Sequence, residues 1–111
     1  MARILIVEPH ADIKALLEHV VRRLGHEAVH VDDECSACDV DAAVIEPGDH
    51  RGLPLARELR LLGRPVVFAS IFPAEREVLE LEPAAYFVKP FALTELATAL
   101  SAALATREAF V

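Results

Sequence analysis

Apolar positions along the chain change period several times, and each change marks an element. Arg3-Ile-Leu-Ile-Val-Glu8 opens with a continuous apolar run, as a central parallel strand buried on both faces should. Ile13, Leu16, Leu17, Val20, Val21 and Leu24 then recur at helical spacing, and Gly25 follows where a C-terminal cap belongs. Residues 26–31 alternate weakly, in the manner of an edge strand. Asp41-Ala-Ala-Val-Ile-Glu46 is a second buried strand, and a helix is expected over residues 53–62, stopped by Gly63. Pro65 opens the strand Val66-Val-Phe-Ala-Ser70, a short helix fits residues 74–81, and Ala85-Tyr-Phe-Val-Lys89 is the fifth strand. A last helix puts Leu93, Leu96, Ala97, Leu100 and Leu104 on one face.

Five strands alternating with helices predict an α/β fold, a doubly wound parallel sheet with right-handed crossovers. In such sheets the functional site lies beyond the carboxyl ends of the strands, where the strand order reverses. That rule selects Glu8-Pro9-His10, Glu46-Pro47-Gly48, Ser70 and Lys89-Pro90. One crossover is short, because residues 32–41 alone must link two parallel strands. A whole crossover with its helix needs about 10–12 residues, and this segment is a poor helix former. A shortened or missing second helix is therefore expected. The sheet face it leaves thinly covered, around Val40, becomes a candidate interface.

The 111 residues fit one domain, 1–111, with a single buried core. Hydrophobic residues make up 54% of the chain, which argues against disorder. A net charge of −7 without a Lys/Arg cluster argues against nucleic-acid binding. The apolar runs are strand-length, short of the roughly 20 residues of a membrane span, and no signal peptide precedes the first strand. A cytoplasmic location is expected.

The strand-end residues carry a resemblance. Ile4-Leu-Ile-Val-Glu-Pro-His-Ala-Asp-Ile13 resembles the opening of response-regulator receiver domains, an apolar strand ending in two acidic residues. Tyr86-Phe-Val-Lys-Pro-Phe91 matches that family's closing motif, and Ser70 falls where receivers carry Ser or Thr. The resemblance covers the whole chain and implies the CheY-like strand order 2-1-3-4-5. It also implies a cis peptide before Pro90. Receivers take a phosphoryl group from a histidine kinase onto an Asp at the end of the third strand, with Mg²⁺ held by the acidic pair and that Asp. The Ser/Thr and Lys grip the phosphoryl oxygens, and an aromatic on the fifth strand swings with them.

Carried onto this chain, the scheme breaks at its reactive centre. Glu46 stands at the phosphoacceptor position, and the acidic pair has become Glu8-Pro9. Proline offers no side-chain oxygen, and Mg²⁺ demands near-ideal octahedral oxygen geometry. The Glu46 carboxylate sits one methylene farther out than an aspartate, and errors of about an ångström can cost on the order of 100-fold in rate. Ser70, Tyr86 and Lys89 remain as switch-like residues, and Glu46 gives the Lys89 ammonium a permanent anionic partner. The expected protein is thus an atypical receiver of two-component signalling. It stands alone without an attached output domain, binds no cofactor, is not an enzyme and acts by protein–protein contact. A second copy of the chain is one possible partner. The resemblance nominates the face of the fourth helix, fifth strand and fifth helix as the output surface.

Plainer and rival readings stand beside this one. Glu46–Lys89 could be purely structural, a pair that spares two buried charges, and Tyr86 could be packing with its hydroxyl at the surface. A working phospho-switch is the first alternative. The second is a metal or redox module at Cys35-Ser-Ala-Cys38, which has suitable spacing. However, His26 and His30 would lie about 13 Å apart on a strand, and the acids flanking the cysteines would raise their pKa values. A third possibility gathers Glu8, His10, Glu46, Asp49 and His50 as ligands of another metal site.

Overall fold

The computed structural model describes residues 1–31 and 39–109. Along them run β1 (Arg3–Val7), α1 (Ala11–Arg23), β2 (Glu27–His30), β3 (Ala42–Ile45), α2 (Gly52–Leu61), β4 (Val66–Ser70), α3 (Arg76–Leu79), β5 (Ala85–Val88) and α4 (Leu93–Ala109). The strands form one parallel sheet in the order β2-β1-β3-β4-β5. This is the order and fold class expected from the sequence. The continuous apolar runs are explained by burial on both faces: each residue of β3 and β4 is buried, as is β1 from Ile4 onward.

Alternation along the strands divides the core in two. Ile4, Ile6, Val44, Val67 and Ala69 face α1 and α4, meeting Leu17, Val20, Val21, Leu96, Leu100 and Leu104. Leu5, Val7, Ala43, Ile45 and Phe68 face the other way, toward Ala56 and Leu59 of α2 and Val78 of α3. Gly25 and Gly63 end α1 and α2 at φ of 85° and 71°, the left-handed turn that their lack of a Cβ permits.

Three expectations need correction. Leu16, placed on the inner face of α1 by its spacing, is 50% exposed. The short helix covers only Arg76–Leu79 rather than residues 74–81. Its flanks explain this, since Glu75 is extended at φ −92°, ψ 162° and Glu82 turns to φ 49°, while only Val78 on it is buried. Val40 is not a surface residue. At 1% exposure it belongs to the core half that contains Leu5, Val29 and Phe68, so it forms no interface. The expectation of a shortened second helix, like Cys35 and Cys38, lies outside the described residues.

Candidate functional site

The sheet register sets the site. Val7 pairs with Ile45, so Glu8 and Glu46 leave neighbouring strands side by side, and the Glu46 amide donates to the Val7 carbonyl at 2.8 Å. Two strands away Ser70 pairs with Val88, and the Lys89 amide donates to the Ser70 carbonyl at 2.7 Å. The peptide from Lys89 to Pro90 is cis, as the resemblance implied. The three carboxyl ends thus converge at the reversal of strand order, with β1 and β3 at its centre.

Lys89 reaches across the sheet end and binds both carboxylates. Its Nζ lies 2.5 Å from Glu8 Oε1 and 3.0 Å from Glu46 Oε2. The side chains of Glu8, Glu46 and Lys89 are 1%, 8% and 10% exposed. Each carboxylate uses its second oxygen on nearby backbone. Glu8 Oε2 accepts the His10 N–H at 3.2 Å, next to the first turn of α1, and Glu46 Oε1 accepts the Gly48 N–H at 2.9 Å. Burial alone would push the Lys89 ammonium down. Hydrogen bonds and charge from Glu8 and Glu46 outweigh that and hold its pKa above the ordinary 10.5. The cluster carries two negative charges and one positive, all hydrogen-bonded.

The turn after Glu46 is tightly built. A Cβ on Gly48 would stand 3.0 Å from Glu46 Oε1, and one on Gly52 would stand 2.6 Å from the Glu46 carbonyl oxygen. Both glycines let backbone approach this residue closely. Asp49, also buried, is held separately. Its Oδ1 accepts the Arg51 amide at 2.9 Å and Arg51 Nε at 3.1 Å, while Oδ2 accepts Nη2 at 2.9 Å. The Arg51 side chain lowers the Asp49 pKa against the opposing effect of burial.

Ser70 and Tyr86 converge on Phe72 rather than on Lys89. The Ser70 hydroxyl accepts the Phe72 N–H at 3.1 Å, and the Tyr86 hydroxyl donates to the Phe72 carbonyl at 2.8 Å. The Tyr86 ring also packs at a tilt against Phe68, 6.1 Å between centroids. The loop after β4 is therefore pinned at Phe72 from two sides, and the tyrosine hydroxyl is engaged rather than idle.

The pairing of Glu46 with Lys89 follows the sequence expectation. Glu8 as a second partner of Lys89 does not, although adjacency of β1 and β3 in the order 2-1-3-4-5 was a sufficient signal for it. Pro9 is exposed, and its side chain has no hydrogen-bonding group to offer the cluster. The five-residue metal site does not assemble. Glu8 and Glu46 meet on Lys89, and His10 Nδ1 reaches only Glu8 Oε2 at 3.2 Å, whereas Asp49 turns to Arg51 with His50 beside it at 3.6 Å. Among the described residues no three His, Cys, Asp or Glu are arranged to hold an ion. His26 and His30 also part, His26 Nδ1 accepting the Ala2 amide at 3.1 Å and His30 Nε2 facing Glu18 at 3.0 Å.

No family model matches the sequence, and no curated protein matches it. Solved structures do. A CheY-like response regulator receiver domain from Methanospirillum hungatei JF-1 superposes with a TM-score of 0.82 at 18% identity, covering 100% of this chain and 99% of that one. The chain has the receiver fold. The receiver domain of a modulated diguanylate cyclase from Desulfovibrio desulfuricans G20 gives 0.81 at 20% identity, with 100% and 99% covered. The beryllofluoride-activated DrrB receiver domain gives 0.76 at 15% identity, with 95% and 98% covered. Within this receiver fold, Glu46 and Lys89 occupy the ends of the third and fifth strands.

Proposed function

We propose that the chain is an atypical receiver of two-component-type signalling that works without phosphorylation, through contact with a protein partner. One observation carries this reading: Lys89 is already bound, by the two carboxylates Glu8 and Glu46. In a working receiver such a lysine grips a phosphoryl oxygen. Here the longer Glu46 side chain delivers an anionic oxygen to it permanently, with one negative charge where a phosphoryl group carries roughly 1.5 to 2.

The residues present do not suit Mg²⁺. Pro9 has no oxygen to offer, Glu8 spends its oxygens on Lys89 and His10, and Glu46 spends its own on Lys89 and Gly48. An octahedral ion would have to break these bonds to gain its ligands. The permanent pair favours a single constitutive state. Output then passes through a surface. Support for the face of α3, β5 and the loop after β4 comes from exposed Ile71, Phe72, Leu79 and Val88 there. On this reading the chain is cytoplasmic and not an enzyme, and its net charge of −7 disfavours nucleic acid. No helix among the described residues is long and apolar enough to cross a membrane.

Titration with Mg²⁺ and beryllofluoride, followed by NMR, tests the proposal. No saturable shifts are expected at Glu8, Glu46 and Lys89. Tight, metal-dependent binding at those residues would restore the phospho-switch.

A further inference from the structure

A second concave site lies at the opposite pole of the sheet. It is a cavity of about 760 Å³, within the roughly 300–1,000 Å³ of small-molecule sites, lined at one side by Arg60, Arg64 and Glu82. Leu62, Pro65 and Leu81 and the α4 residues Ala99, Ala102 and Ala103 supply its apolar wall. Pro65 and Ala84 precede β4 and β5, so the cavity is at the amino ends of these strands. The Lys89 cluster is at their carboxyl ends, about 13 Å away along a strand of this length.

The cavity is bounded by small side chains of α4. At 99, 102, 103 and 106 the stripe that α4 turns toward β4 is Ala, Ala, Ala and Thr, too small to fill the space beneath the loops. Two further features meet there. Arg64 Nε is buried without a hydrogen-bond partner, and among the described residues no hydrogen bond or ion pair holds the guanidinium. A buried donor left unmet is costly and rare in native proteins. Glu82, on the rim, is the described non-glycine residue at positive φ, 49°, and its carboxylate turns to Arg60 at 2.9 Å. Strained backbone of this kind concentrates at ligand sites. Arg60 is thus matched, and Arg64 is left as the cation facing an apolar wall.

We propose that this cavity binds a small organic anion, an apolar body carrying a carboxylate or phosphate group. Arg64 takes the charged end in a planar, two-pronged contact, and the Ala99, Ala102 and Ala103 surface takes the body. The site is independent of the Lys89 cluster and holds whether or not that cluster can be phosphorylated.

The test titrates the whole chain with phenyl phosphate, benzoate and inorganic phosphate, observed by NMR. Phenyl phosphate and benzoate should give saturable shifts at the amides of Gly63, Arg64, Ala84 and Ala103. Inorganic phosphate, which lacks the apolar body, should bind at least about 10-fold more weakly. Arg64→Gln should lower the affinity for both aromatic anions by on the order of 10-fold or more. Ala102→Leu, at an exposed position, should block the cavity without disturbing the core. Binding that is unchanged in both variants, or equal for inorganic and phenyl phosphate, reveals an adventitious ion only and overturns the proposal. Absence of saturable binding by either aromatic anion overturns it as well.

Discussion

Lys89 and Arg64 are both cations placed at an end of the same sheet, and their surroundings differ in kind. Lys89 lies between two buried carboxylates, each of which is also hydrogen-bonded to backbone. Arg64 lines a cavity with a buried Nε that nothing meets. Buried charge is costly unless paired, so the first arrangement is self-contained, whereas half-buried Arg64 keeps one buried donor, its Nε, unmet. The two ends of one sheet thus hold a cation in opposite ways, one clasped by carboxylates and one facing a cavity.

Removing the cation from each pole is the sharpest way to test this contrast. Lys89→Met strands two buried carboxylates and should destabilise the fold by about 3–5 kcal/mol in urea unfolding. A loss below about 1 kcal/mol would show that the cluster is effectively solvated. The same cluster fixes an alkaline limit. The folded Lys89 pKa is raised, so its contribution is full below the ordinary 10.5 and is lost as pH rises through the folded value. Stability measured across that range should fall in the native chain, and this component should be missing in Lys89→Met.

Gly52→Ala comes next. Its Cβ would meet the Glu46 carbonyl oxygen at 2.6 Å and Ile45 Cγ2 at 2.9 Å, so either α2 or the Glu46 turn must shift. A cost of about 1–3 kcal/mol is expected, together with changed Lys89 side-chain resonances. A neutral substitution would mean that the turn is looser than the geometry implies. The smallest effect belongs to the other pole: Arg64→Met removes the unmet Nε donor and should leave stability unchanged or raise it by about 1 kcal/mol. A loss of several kcal/mol would assign Arg64 to the fold and erase the contrast.

The reach of the sequence differs between these regions for physical reasons. β1, β3 and β4 are legible because a strand buried on both faces must be apolar at every position, and strand ends can then be found without knowing any contact. Glu46 and Lys89 follow from those ends. α3 was harder, since a one-turn helix with Val78 as its buried residue has no period to read. Leu16 misled because helical spacing marks a stripe wider than the surface α1 actually covers. The cavity beside Arg64 could not be read at all. Its volume is the difference between the small residues of α4 and the distance to β4, and that distance is a tertiary quantity.

The lysine clasp also has a consequence for kinetics. It ties residues 81 and 43 positions apart, joining the first, third and fifth strands. Such a bond cannot close until those strands have assembled, which places it late on the folding route. Interactions absent at the barrier slow unfolding and leave the folding rate unchanged. In a chevron plot the cost of Lys89→Met should therefore appear almost entirely as faster unfolding. A slowed folding arm would place the sheet's far edge in the nucleus instead.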